Sequence, residues 1–208
     1  LRGKTIVVFE ELYQDDLKLA VHTDIEDEDQ TIYFPEIKTT AKDAHTDSNL
    51  SLAGKEVTLV DTVTYKNLLP GKEYVMTGTL MDKETGEAVV IDDKKVTAET
   101  TFTPETAEGT VDVQFTLDGS TLAGKTVVVF ESVSYEGKEF AVHADLKDDG
   151  QTIYFPEIKT TAKDNVSGNH YAKPEKELTL TDLVEYKNLI PGKEYKLTGT
   201  LMDAETEK

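Results

Sequence analysis

Residues 30–43 read QTIYFPEIKTTAKD, and residues 151–164 read QTIYFPEIKTTAKD again, an offset of 121 positions (151 − 30). The same offset carries KTIVVFE at 4–10 onto KTVVVFE at 125–131, and AVH at 20–22 onto 141–143. It also carries YKNLLPGKEY at 65–74 onto YKNLIPGKEY at 186–195, and TGTLMD at 77–82 onto 198–203. Everything in 1–87 thus has a counterpart in 122–208 with no insertion. A period of that length is too long for a solenoid unit and fits a whole domain. The chain reads as a window on a tandem array, with boundaries at the prolines of the two YFPEIKTT stretches, Pro35 and Pro156. Residues 1–35 are then the C-terminal part of one repeat, 36–157 a complete repeat, and 158–208 the N-terminal part of the next. Neither end fragment carries enough apolar surface to fold alone. Its missing strands come from outside this window, from another chain, or from the two ends meeting.

Within the complete copy, Val57, Leu59, Val63 and Tyr65 alternate with Thr58, Thr62 and Thr64. That is a period of two, rich in β-branched and aromatic residues, and it predicts a strand. Similar alternation covers 73–81, 96–102, 111–117, 126–133, 139–145 and 151–158, with breaks at Pro70-Gly71, Thr85-Gly86, Asp118-Gly119, Glu136-Gly137 and Asp149-Gly150. No segment shows an apolar face of helical period. Seven or more short strands in one copy predict an all-β fold: tandem immunoglobulin-like antiparallel β-sandwich domains.

Composition narrows the function. Forty-one acidic residues against 22 basic ones leave a net charge of −19 in a chain of 208, which argues against nucleic acid and anionic membrane surfaces as partners. With 38 % hydrophobic residues the chain can build modest cores. The absence of cysteine removes disulfides, thiol nucleophiles and thiolate metal sites together. No apolar run is long enough to insert in a membrane, and no stretch reads as a signal peptide.

Strand parity singles out polar residues on apolar faces. Asp61 shares its face with Val57, Leu59, Val63 and Tyr65, and Glu131 shares its face with Val127, Val129 and Val133. Thr39 lies between Ile37 and Ala41, with Lys38, Thr40 and Lys42 on the other side. Gln151 shares a face with Ile153 and Phe155, while His143 follows Ala141 and Val142, either of which could be the inward one. An unpaired buried carboxylate costs several kcal/mol, so each acid has to be partnered or protonated. Alone, Asp61 or Glu131 is readable as a cap on backbone groups at a strand end. Two acids, a His, a Thr and a Gln together suggest chemistry. A Thr hydroxyl becomes a nucleophile when His takes its proton. A Gln carboxamide becomes an electrophile when a protonated acid polarises it and its nitrogen leaves as ammonia. An Asp and a Glu held close cannot both ionise, so one is available as that acid. The product is an ester between two side chains, formed once per domain. Glu10, His22 and Gln30 repeat half of the set, and Thr160 and Asp182 repeat the other half, whereas 44–56 differs freely from 165–177.

The series TTAKD (39–43), DTVTYKNLLPGKEY (61–74), TGTLMDKETG (77–86), KTVVVFE (125–131) and His143-x7-Gln151 before TIYFPEI (152–158) resembles the VaFE-type repeats of Gram-positive surface adhesins. These are similar to immunoglobulin-like domains that carry self-generated Thr–Gln esters. The resemblance covers essentially the whole chain. It implies that Thr39 attacks Gln151, assisted by His143, Asp61 and Glu131, with Thr40 as the alternative nucleophile that parity disfavours. It implies partial sites at Glu10, His22 and Gln30, and at Thr160 and Asp182. It further implies an extracellular, cell wall-anchored structural stalk that makes a single turnover on itself and is not a true enzyme. No cofactor and no metal are implied. Its partners are neighbouring repeats, with a host-surface ligand engaged through another domain.

Other signals yield to plainer readings. The acidic runs 24–29 (DIEDED) and 145–149 (DLKDD) lack the ligand spacing of a calcium loop and read as solvated charge. Asn49-Leu50-Ser51 and Asn165-Val166-Ser167 are short sequon matches. A glycosidase pair of Asp61 and Glu131 needs an open cleft. A ligand-binding module without a cross-link, using loops 44–56 or 103–110, is the stronger rival. A Lys–Asn isopeptide through Lys38 or Lys42 meets the difficulty that parity turns both outward.

Overall fold

From Ile37 to Asp43 every second residue is buried and every intervening one exposed, and from Val57 to Tyr65 the odd-numbered residues are all buried. This alternation is what a sheet needs when one face meets a core and the other meets water. The computed structural model describes residues 1–206; Glu207 and Lys208, the last two of the third copy predicted from the sequence, lie outside the described residues.

The strands in chain order are β1 (Thr5–Val7), β2 (Glu10–Gln14), β3 (Leu17–His22), β4 (Thr31–Tyr33), β5 (Glu36–Asp43), β6 (Val57–Lys66), β7 (Tyr74–Asp82), β8 (Val90–Ile91), β9 (Lys94–Lys95), β10 (Thr97–Phe102), β11 (Gly109–Leu117), β12 (Thr126–Tyr135), β13 (Lys138–His143), β14 (Thr152–Tyr154), β15 (Glu157–Asp164) and β16 (Leu180–Lys187). One sheet has the order β11-β6-β5 and the other β10-β7-β12-β13, with β14 also paired to β12. All these pairings are antiparallel. Two facing antiparallel sheets, in which β5 pairs β6 within one and β7 pairs β12 within the other, give the immunoglobulin-like sandwich expected from the sequence.

The core between the sheets holds Leu59, Val63, Phe115, Met76, Leu80, Val127, Val129, Val133, Ile153 and Phe155, all buried. Tyr65, Tyr74, Phe102 and Tyr135 close one end, with neighbouring ring centroids 5.3 to 6.0 Å apart. Outside this unit, β1 pairs β4, β2 pairs β3 and β15 pairs β16. The strands β2 and β3 are exposed throughout, and β16 nearly so.

One sequence expectation changes here. Residues 151–158 do not run as a single strand. The edge beside β12 is shared by β13 and β14, and between them residues 144–151 leave the sheet and end in a 3-10 turn over Asp149–Gln151. Asp148 starts that turn by accepting a hydrogen bond from the Gly150 N–H at 2.8 Å. Pro156 then separates β14 from β15.

Candidate functional site

The excursion 144–151 positions the amide. Gln151 is fully buried, although it sits on a turn and not on the strand face that parity suggested. Its side chain is hydrogen bonded to the Thr39 hydroxyl on β5, across the gap between the two sheets. Thr39 is 8 % exposed, between buried Ile37 and Ala41, while Thr40 faces solvent. Lys38 and Lys42 also face solvent, and Lys42 bonds Asp47. The hydroxyl that meets the amide is therefore that of Thr39.

Asp61 on β6 and Glu131 on β12 come from opposite sheets and are buried at 0 % and 1 % exposure. Asp61 stands across from Ala41, two residues beyond Thr39 on the neighbouring strand. In the resting arrangement no donor meets either carboxylate, or the Gln151 carbonyl oxygen, at full hydrogen-bonding geometry. A hydrogen bond between the two acids exists only when one of them carries a proton. Burial, then the negative charge of Asp61, push Glu131 up to about 10, so it holds its proton at neutral pH. Burial raises Asp61 as well, against the opposing pull of its hydrogen-bonding neighbours Glu131, Thr39 and Gln151. The pair thus keeps one proton between two carboxyls, directly behind an amide whose oxygen is an open acceptor.

Space for the Glu131 carboxyl comes from Gly78, its cross-strand partner on β7. A Cβ at Gly78 would stand 2.5 Å from Glu131 Oε1 and 2.4 Å from Phe115 Cζ. Parity and hydropathy do not mark this glycine. Its only trace was the TGT of 77–79 repeated at 198–200.

His143 ends β13 opposite Glu131. The sequence left its direction open because a register shift between Val133 and Ser134 breaks the alternation of this pairing. Its Nε2 is 2.8 Å from Asp148 Oδ2. In the sequence Asp148 belongs to the acidic run 145–149, which reads as solvated charge. One of its oxygens instead bonds the imidazole and the other caps the turn that carries Gln151. Thr39, Ala141, His143 and Asp148 line a groove of about 490 Å³ that opens to solvent. The site is therefore dry on the side of the acids and open on the side of the histidine.

The partial sites keep the same local geometry. Glu10 pairs His22 across β2 and β3, and His22 Nε2 is 2.7 Å from Asp27. Gln30 closes the equivalent turn. Thr160 pairs Val184 and Ala162 pairs Asp182, as Thr39 pairs Val63 and Ala41 pairs Asp61. Each remains half a site.

Fold and site together define an immunoglobulin-like sandwich with a buried centre of hydroxyl, carboxamide and two acids, open to solvent on the histidine side. The chain belongs to the family of the T-Q ester bond containing domain, whose model matches residues 1–34, 35–155 and 156–208. Among solved structures, a bacterial adhesin from Mobiluncus mulieris containing intramolecular disulfide, isopeptide and ester bond cross-links is similar in two crystal forms. One form has 17 % identity over 74 % of this chain and 75 % of that one, with a TM-score of 0.46. The other has 16 % identity over the same shares, with a TM-score of 0.45. A beta-glucuronidase from glycoside hydrolase family 2 is similar at 9 % identity over 62 % of this chain and 13 % of that one, with a TM-score of 0.40. No curated protein matches the chain.

Proposed function

We propose that residues 36–157 close on themselves through an ester between Thr39 and Gln151, and that the chain is part of the structural stalk of an extracellular bacterial surface adhesin, anchored in the cell wall, each of whose repeats is locked this way. The observation that carries the chemistry is the buried contact of the Thr39 hydroxyl with the Gln151 amide, with a proton-holding acid pair behind it. His143, held by Asp148, takes the Thr39 proton as Oγ1 attacks Gln151 Cδ. Charge develops on the Gln151 oxygen, and the proton shared by Glu131 and Asp61 lies ready to stabilise it in a low-dielectric site. The nitrogen then takes the proton held by His143, the Cδ–Nε2 bond breaks, and ammonia leaves by the open groove. One C–O bond forms, one C–N bond breaks, and no redox partner is needed. The domain changes itself once, which distinguishes it from an enzyme.

The mechanical role is supported by where the bond falls. It joins β5, the first strand of the unit, to the turn just before β14, the last, so tension entering at one end passes to the other without crossing the hydrogen-bonded core. The intact mass of the denatured 208-residue chain tests the chemistry. The parent is expected to be lighter than its sequence by one ammonia and, after hydroxylamine opens the ester to a hydroxamate at position 151, heavier than its sequence by one oxygen, whereas Gln151→Ala keeps its full mass in both conditions. A parent at full sequence mass refutes the ester.

A further inference from the structure

The two boundaries between copies are built in the same way. Asn67, at the end of β6, reaches back with its side-chain nitrogen to the carbonyl oxygens of Lys4 at 3.1 Å and Phe34 at 3.2 Å, both in the preceding copy. Asn188, its counterpart after β16, reaches Phe155 O at 3.3 Å. Both asparagines have positive φ, 61° and 55°, a region that Asn enters more readily than most residues. Asn67 is also 9 % exposed, so its amide is committed to this contact and not to water. Each of its two N–H groups has a carbonyl to meet. The Phe34 oxygen already accepts from Gly3 N at 3.0 Å and the Lys4 oxygen from Phe34 N at 2.9 Å, so Asn67 supplies the second donor to each.

The covalent connection has no slack. Phe34 continues the pairing of β4 with its two bonds to Gly3 and Lys4, and β5 begins at Glu36. Only Pro35 lies between, and its ring fixes φ. Gly3 and Gly124 have φ of +69° and +76°, and a Cβ on either would stand 2.5 Å from Glu36 Oε2 or 2.7 Å from Glu157 Oε2. At both boundaries, then, the glutamate directly after the boundary proline lies over the glycine turn that precedes that proline in the chain.

We propose that the end face formed by Glu36 and Asn67, and again by Glu157 and Asn188, is a docking surface for the preceding copy of the same domain, with the asparagine as the clamp that fixes the angle between consecutive copies. A chain of such joints is a rod with a set direction and not a string of freely swivelling beads. The joint is independent of the ester, because none of its contacts involves Thr39, Gln151 or the acids.

Spin labels at Thr5→Cys on β1 and Gln114→Cys on β11, both exposed, report the joint in the full chain, which has no other cysteine. Pulsed dipolar spectroscopy on this pair is expected to give one narrow distance distribution. Asn67→Gly keeps the positive φ accessible and removes the amide, and Asn67→Asp keeps the shape while replacing the donor by an acceptor that faces two carbonyls. Both are expected to widen the distribution, with the ammonia loss in intact mass and the unfolding temperature of the central sandwich unchanged. A broad distribution in the parent overturns the fixed joint. A narrow distribution that stays narrow in both variants overturns the role of Asn67. The mass readout separates either failure from a failure of the ester.

Discussion

Gly78 stands directly across from Glu131, and the volume its missing side chain leaves is filled by the Glu131 carboxyl and the edge of Phe115. A strand glycine is ordinarily a weakness. Here it lets a protonated acid reach the centre of the sandwich without displacing the core.

Gly78→Ala therefore tests how tightly the acid is held. Overpacking at this point is expected to cost about 1–3 kcal/mol and to push Glu131 away from the amide. Denaturation midpoints should fall, and ammonia loss should slow in freshly refolded protein. A variant that cross-links at the parental rate would show that the position of Glu131 is not critical.

Asp148 separates orientation from folding. Asp148→Asn retains an oxygen to cap the turn at Gly150 but gives up the charge that steadies the imidazolium. Ester formation followed by mass is expected to slow by about a hundredfold or more, within the range of a general-base contribution. The thermal unfolding of an uncross-linked background should hardly change.

Thr39 and Thr40 are neighbours of opposite orientation, which makes them each other's control. Thr39→Ala is expected to retain its amide nitrogen and lose ~4–5 kcal/mol, the chain-entropy value for releasing a loop of that size. The loop spans 112 positions (151 − 39). Thr40→Ala should cross-link and melt as the parent does. A reversed pattern would move the nucleophile to Thr40.

Glu131 also predicts how stability varies with pH. Its proton affinity rises from an ordinary 4.5 to about 10 on folding, so between those values the folded chain holds a proton that the unfolded chain releases. Such a group favours the folded state fully below its unfolded pKa, and that contribution is lost as pH rises toward its folded one. In the Thr39→Ala background, denaturant midpoints should decline as pH rises from 4.5 to about 10, and Glu131→Gln should flatten the decline. Equal slopes in the two proteins would place the proton elsewhere.

How much of this was legible beforehand depends on the local rule each residue obeys. Thr39, Asp61 and Glu131 lie on regular strands, where a period of two assigns faces without ambiguity. Gln151 is buried as parity suggested, yet for another reason: a capped 3-10 turn, and not a strand face, turns it inward. His143 was recognisable by type but not by direction, since the shift at Val133 and Ser134 erases the alternation. Asp148 was hidden because one functional carboxylate among DLKDD looks like its solvated neighbours. Gly78 was hidden because a residue with no side chain leaves no mark in a hydropathy pattern. The sandwich came from repetition and alternation, which are properties of many residues; the missing parts were single contacts made across the fold.

The lone proline between β14 and β15 has a consequence for what a force spectrometer would record. Between Gln151 and Thr160 run eight residues, 152–159, nearly all already extended in β14 and β15. With the ester closed, a stretched array can lengthen only through such short, taut segments. Without it, an unravelling repeat would release the hidden length behind the bond, roughly 380 Å for 112 residues at full extension. A closed chain should therefore give a force–extension trace without a sawtooth for its complete repeat, rising smoothly until a covalent bond or the attachment itself gives way.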